Sequence, residues 1–163
     1  MNAPPLTLQP ARPEDVPLIV ELIRDLADFE RLADQVRVDP VRLREHLFGP
    51  RPYAECVIAW VAADAAGFAL YFHNYSTFVG RPGIYLEDLF VRPAFRGLGY
   101  GEALLRFLAR TAVERGCGRL EWSVLDWNQR AIDFYRKLGA VPMDEWTVFR
   151  VSDDALARLG AGT

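Results

Sequence analysis

Hydrophobic residues recur along this chain with two periods, near 3.6 and 2, and the switches between them mark out its elements. Leu6 to Gln9 reads as a short first strand. PEDVPLIVELIRDLADFERLA follows, with acids in its first turn and apolar residues at Val16, Ile19, Val20, Ile23, Leu26 and Ala27. That is the spacing of a helix with one buried face. DPVRLREHLF predicts a second helix, capped by Asp39 with Pro40 at its first position. AECVIAWVAA and GFALYFHNYST predict a pair of strands joined by a turn around Asp64 to Gly67. Gly80 and Arg81 to Gly83 predict another turn, and IYLEDLFV the next strand.

A long amphipathic helix is expected from Gly99 to Arg115, with Leu104, Leu105, Leu108, Ala112 and Val113 buried and Gly116 as its stop. RLEWSVL reads as a strand, and NQRAIDFYRKLG as a helix capped by Asn128 and ended by Gly139. WTVFRV predicts a final strand and DDALARLG a short terminal helix. This order predicts an α/β fold over residues 1–163, one domain with a mixed, mostly antiparallel sheet flanked by helices.

Composition narrows the function classes. The chain has 163 residues, 51% apolar and 25% charged, enough for a sizeable core. A net charge of −3 supplies no basic field to gather nucleic acid or anionic lipid. Cys56 and Cys117 form no CxxC pair, and His46 and His73 stand apart, so neither a disulfide framework nor a metal site is expected. The start, MNAPPLTLQP, has no basic and apolar leader, and no apolar run reaches membrane-spanning length. A soluble cytoplasmic protein is the expectation.

The chemistry concentrates around VRPAFRGLGYGE, where Gly97, Gly99 and Gly101 stand between a strand and a helix. A plain tight turn would account for them. A P-loop would need a Lys-Ser/Thr pair that is missing, and a dinucleotide fingerprint would need a small residue where Glu102 stands. A fourth account uses every feature: glycines leave backbone N–H groups bare at a helix N-terminus, where a diphosphate can lie without a basic surface.

Arg96-Gly97-Leu98-Gly99-Tyr100-Gly101 resembles the R/Q-x-x-G-x-G/A acetyl-CoA signature of the GNAT N-acetyltransferase superfamily. LADFE (Leu26 to Glu30), YLEDLFV (Tyr85 to Val91), VLDWNQRA (Val124 to Ala131) and FYRKLGA (Phe134 to Ala140) resemble the diamine acetyltransferases, which include spermidine/spermine and thialysine acetyltransferases. The resemblance implies a GNAT-like sheet with a splayed cofactor cleft, acetyl-CoA as cofactor, a small-molecule amine as acceptor and a homodimer. It places acetyl-CoA against Leu89, Phe90, Val91, Arg96, Gly97, Leu98, Gly99, Tyr100, Gly101 and Glu102, with Asn128 and Tyr135.

Acetyl transfer to an amine requires deprotonating a group whose pKa is about 10. It also requires donors for the thioester oxygen, a proton for the departing sulfur, and both substrates held together. Glu87 and Asp88 are adjacent acids in an otherwise apolar strand, where solvated edge acids are the plain alternative. Glu87 is assigned the proton-accepting role, through water, and Asp88 a part in orienting the amine. Strict alternation sets Tyr85, Glu87, Leu89 and Val91 on one face and Leu86, Asp88 and Phe90 on the other, unless a β-bulge re-aims one.

Tyr135 is a core aromatic by periodicity and the general acid by resemblance. Asn128 is first a helix cap. Phe29 and Glu30, with Glu145 and Trp146, match family positions facing the acceptor; the loop before Glu145 is shorter here. Ser76 and Phe78 replace an aspartate and a tryptophan of the polyamine enzymes, which favours a short lysine-like or diamine acceptor. A protein or peptide acetyltransferase and a non-catalytic acetyl-CoA sensor remain the rival functions.

Overall fold

The computed structural model of the protein describes residues 5–162; the first four residues of the stretch read above as lacking a leader lie outside them. The described chain forms two compact units, one ending at Ser123 and one beginning at Val124.

The first unit is built on a five-stranded sheet in the order β1 (Leu6–Pro10), β2 (Glu55–Val61), β3 (Asp64–Ser76), β4 (Arg81–Val91), β5 (Leu120–Trp122). Neighbours run antiparallel except β4 and β5, which are parallel. This is the mixed, mostly antiparallel sheet that the pattern predicts. On one face α1 (Val16–Glu30) and α2 (Pro40–Phe48) pack Ile19, Leu22, Leu26 and Leu47 against Cys56, Ile58, Phe68 and Phe90. Fully burying side chains of this size contributes about 1.5–3 kcal/mol each. Asp39 caps α2 as expected, its Oδ1 accepting the Arg42 N–H at 2.8 Å. On the other face lies α3 (Tyr100–Glu114), whose Tyr100 packs with Val61, Ala66 and Val91.

Several expected details differ. The β2–β3 chain reversal falls at Ala62 and Ala63, not at Asp64 to Gly67. Ala66 is an extra residue on β3, since Ala59 faces Gly67 while Trp60 faces Ala65. A Cβ at Gly67 would run into the Phe90 carbonyl oxygen, so this glycine serves close strand approach rather than a turn. Likewise the β3–β4 reversal occupies residues 77–80, and Arg81 to Gly83 already belong to β4. In α1 Leu22 is fully buried and Ile23 only partly. In α3 Thr111 takes the buried place expected of Val113, which is 79% exposed. Thr111 fits there because its Oγ1 donates to the Phe107 carbonyl at 3.0 Å.

The second unit holds α4 (Gln129–Lys137) and α5 (Asp153–Ala161), both as expected. The strand expected at Trp146 to Val151 is not formed, and Val148 and Phe149 are 83% and 91% exposed. Alternation alone makes no strand: extended backbone needs a neighbouring strand to receive its N–H and C=O groups. The expected strand at Arg119 to Leu125 contracts to Leu120–Trp122 for the same reason, because β4 pairs with it only there.

Candidate active site

β4 changes character along its length. Ile84, Tyr85 and Leu86 are paired on both sides, with β3 and with β5. β5 ends at Trp122, opposite Leu86, and Glu87 to Val91 continue beside β3 alone. A bulge marks the change: Leu70 faces Asp88 and Tyr71 faces Leu86, leaving Glu87 as the extra residue. Strict alternation is thereby broken. Tyr85 faces Phe72, their rings stacked with centroids 5.2 Å apart, and shares a face with Asp88 and Phe90 instead of with Leu89 and Val91.

Asp88 looks toward the end of α1. Phe29 and Glu30 form the last turn of that helix, which Arg31 ends in the left-handed conformation (φ 60°). The Phe29 and Phe90 rings lie 6.3 Å apart. Burial raises the Asp88 carboxyl to about 6, helped by the negative charges of Glu87 and Glu30. Burial alone pushes Glu30 up as well. Glu87 itself is exposed. Together Glu30, Glu87 and Asp88 make a field that an ammonium group relieves, and a carboxyl poised near 6 can exchange protons at neutral pH. Cys56 packs on the same face, but burial first, then Asp15 and Asp88, push its thiol to about 12, so it offers no thiolate nucleophile.

On the opposite face, Leu89 and Val91 lie under the start of α3, where a Cβ at Gly101 would stand 3.9 Å from each. Gly97 and Gly99 adopt φ of 78° and 83°, and a Cβ at either would meet nothing within 4 Å. Here glycine is required by the left-handed backbone, and the turn it makes is unobstructed on its outer side. Ala103 N–H is bonded to the Gly99 carbonyl at 3.0 Å, and Arg96 N–H to the Pro93 carbonyl at 3.3 Å. Leu98 is exposed, Tyr100 is buried, and Glu102 is held by Arg106, whose Nε donates to its Oε1 at 2.8 Å. The Arg96 side chain turns toward α1: its guanidinium carbon lies 4.4 Å from the Phe29 ring centroid, and its Nε donates to the Val91 carbonyl at 2.8 Å.

The remaining expected site residues are described within the second unit. Asn128 caps α4, accepting the Ala131 N–H at 3.3 Å. Tyr135 is half-buried on that helix, its ring 5.5 Å from that of Phe134. Glu145 and Trp146 are exposed, in a stretch without helix or strand. Ser76 and Phe78, read as a specificity signal, sit at the β3–β4 reversal, at the end of the hairpin away from Asp88. Ser76 Oγ accepts the Val79 N–H at 3.2 Å and Phe78 is 98% exposed. Sequence reasoning passed over Glu21, Asp25 and Arg92, an ion-paired group beside the site. Its signal was the four-residue spacing of Glu21, Asp25 and Phe29 on one helical stripe.

Residues 19–140 match the acetyltransferase (GNAT) family. The chain belongs to that family. As a GNAT member it is an N-acetyltransferase. It is 38% identical to the thialysine N-epsilon-acetyltransferase of Bos taurus, over 93% of this chain and 95% of that protein. It is 32% identical to an L-ornithine N5-acetyltransferase of Arabidopsis thaliana, over 90% of this chain and 84% of the relative. Among solved structures, an integron cassette protein from the V. cholerae mobile metagenome shares the fold, with a TM-score of 0.77 and 24% identity, covering 95% of this chain and 97% of that one.

Proposed function

We propose that this acetyltransferase moves an acetyl group from acetyl-CoA directly to the primary amine of a small molecule, a lysine-like amino acid or a short diamine, with both substrates held at once. The observation that carries this is the open half of β4. One of its faces underlies a glycine turn at a helix N-terminus, and the other faces a cluster of carboxylates. The relatives named for thialysine and ornithine support an acceptor with a terminal amine on a short chain.

The glycine turn fits a diphosphate. Its outer side is unobstructed, and the partial positive charge of the α3 N-terminus offsets the ligand's charge in a protein with no basic field. Residues 96–102 would hold the diphosphate, and the main chain of Leu89, Phe90 and Val91, beyond the reach of β5, would lie along the pantetheine arm. Asn128 and Tyr135 complete the cofactor contacts in this proposal. Bound acetyl-CoA supplies an acetyl group activated as a thioester.

The chain's own residues do the rest. Asp88 and Glu30 draw in the cationic amine and orient it, with Phe29 as an apolar wall. Glu87, exposed on its bulge, takes the ammonium proton through water. The Tyr135 phenol is the proton source for the departing sulfur. Glu145 and Trp146 belong to the acceptor contacts in the same proposal, and a cytoplasmic homodimer is part of it through the family resemblance.

The test is release of free thiol from acetyl-CoA in the presence of thialysine, lysine, ornithine, putrescine, spermidine, spermine and a lysine peptide. Turnover is expected with the short amines. Turnover with the peptide alone, or coenzyme A binding without turnover on any amine, overturns the proposal.

A further inference from the structure

Two arginines leave the end of β4 and hold one stripe of α1. Glu21, Asp25 and Phe29 are spaced four residues apart, so successive turns of the helix present them on a single line. Arg92 takes the first two: its Nε bonds Asp25 Oδ2 at 2.9 Å and its Nη2 bonds Glu21 Oε1. Arg96, four residues on, takes the third by stacking over the Phe29 ring. The intervening Pro93–Phe95 forms a turn of 3-10 helix, which fixes the separation of the two guanidinium groups.

Arg92 is itself tied down. Its N–H donates to the Ala66 carbonyl at 2.8 Å and its Nη1 to the Ala65 carbonyl at 3.3 Å, both at the β3 bulge. The Arg92 side chain is only 23% exposed, so these bonds form in a partly desolvated place where a charge-assisted bond is worth more than at the open surface. The arrangement therefore has a fixed end at the sheet, a middle at Arg92, and two ends that depend on it. One is the last turn of α1, carrying Phe29 and Glu30. The other is the turn from Arg96 to Glu102.

We infer that Arg92 and Arg96 are positioning residues that couple the glycine turn to the acceptor end of α1, so that a ligand ordering either one orders the other. This rests on the proposed function, which makes the turn the cofactor side and α1 the amine side. Binding at the turn fixes Arg96, Arg96 fixes Phe29, and Arg92 keeps the helix in register with both. Coupling of this kind is reciprocal: coenzyme A should tighten the amine by the factor by which the amine tightens coenzyme A.

The experiment is calorimetric titration of thialysine with and without saturating coenzyme A, together with hydrogen exchange of the amides at residues 26–32. For the wild type, coenzyme A should tighten thialysine by about fivefold or more and slow exchange in that last turn of α1. Arg92→Met should bring the factor below about twofold, remove the slowing, and leave the affinity for coenzyme A alone nearly unchanged. Arg92→Lys, which can reach only one of the two carboxylates, should keep part of the coupling. Should Arg92→Met fail to fold, Asp25→Asn removes the charge from one bond of the set and should lower the factor by itself. Equal coupling in the wild type and these variants overturns the inference while leaving acetyl transfer intact. Absence of any coenzyme A binding by the wild type overturns the proposed function and the coupling with it.

Discussion

The two halves of β4 do opposite work. From Ile84 to Leu86 the strand is paired on both sides, and Ile84 and Leu86 are almost fully buried. From Glu87 to Val91 it keeps one partner, carries a bulge and two acids, and sits between a glycine turn and the end of a helix. The first half converts apolar area into stability. The second gives up one ladder of hydrogen bonds, and so has main chain and carboxyl groups available to ligands. A site is built here where pairing stops, one residue beyond a well-packed strand.

Substitutions in the two halves should therefore fail differently. Glu87→Gln should lower turnover by about 10²–10⁴-fold and flatten the rising alkaline limb of the pH–rate profile, with the thermal midpoint nearly unmoved. A wild-type profile would move the proton-accepting role elsewhere. Leu86→Ala should do the converse, costing about 2–5 kcal/mol in denaturant unfolding while the folded fraction turns over normally. Tyr135→Phe tests the proposed proton source for the departing sulfur. It should lower turnover by about 10²-fold with little change in coenzyme A affinity, and an unchanged rate would remove its role as acid.

Asp88 gives a smaller effect, set by pH. Burial and neighbouring carboxylates raise its carboxyl from 3.8 to about 6, so the folded protein holds this proton more tightly than the unfolded chain. Its stabilising contribution is complete below pH about 4 and is lost as the pH rises through about 6. Asp88→Asn carries no such charge and should be more stable than the wild type by about 1–2 kcal/mol at pH 8, the difference closing toward pH 4. A gap independent of pH would mean that Asp88 is not held in a desolvated place. Smallest of all, Gly99→Ala should cost about 1 kcal/mol, because φ is 83° there, and should weaken coenzyme A binding. Loss of stability with unchanged affinity would make the glycine turn purely architectural.

Much of the fold and part of the site were readable from residue order. α1, α2, α3 and the two helices of the second unit follow from apolar spacing, and Asp39 and Asn128 cap where a short polar side chain precedes a helix. The glycine turn and the acids at 87 and 88 stood out because each breaks the composition around it. Other features did not: the misplaced reversal at Asp64 to Gly67, the missing strand at Trp146 to Val151, and the group formed by Arg92, Glu21 and Asp25. The first and the last are decided by partners far away in sequence, and the second by the lack of a strand paired with it among the described residues.

What the chain determines by itself is local: periodicity selects helix or strand, a capping side chain or a glycine with positive φ ends one, and a signature places the family. Tertiary structure decides where each strand loses its partner, which residue becomes the bulge, and which face each acid joins. The physical reason is that a strand's hydrogen bonds and a carboxylate's burial are completed by other segments. Glu87 is a bulge residue because Leu70 and Tyr71 face its two neighbours, and Asp88 holds its proton to about pH 6 because the fold buries it beside Glu30.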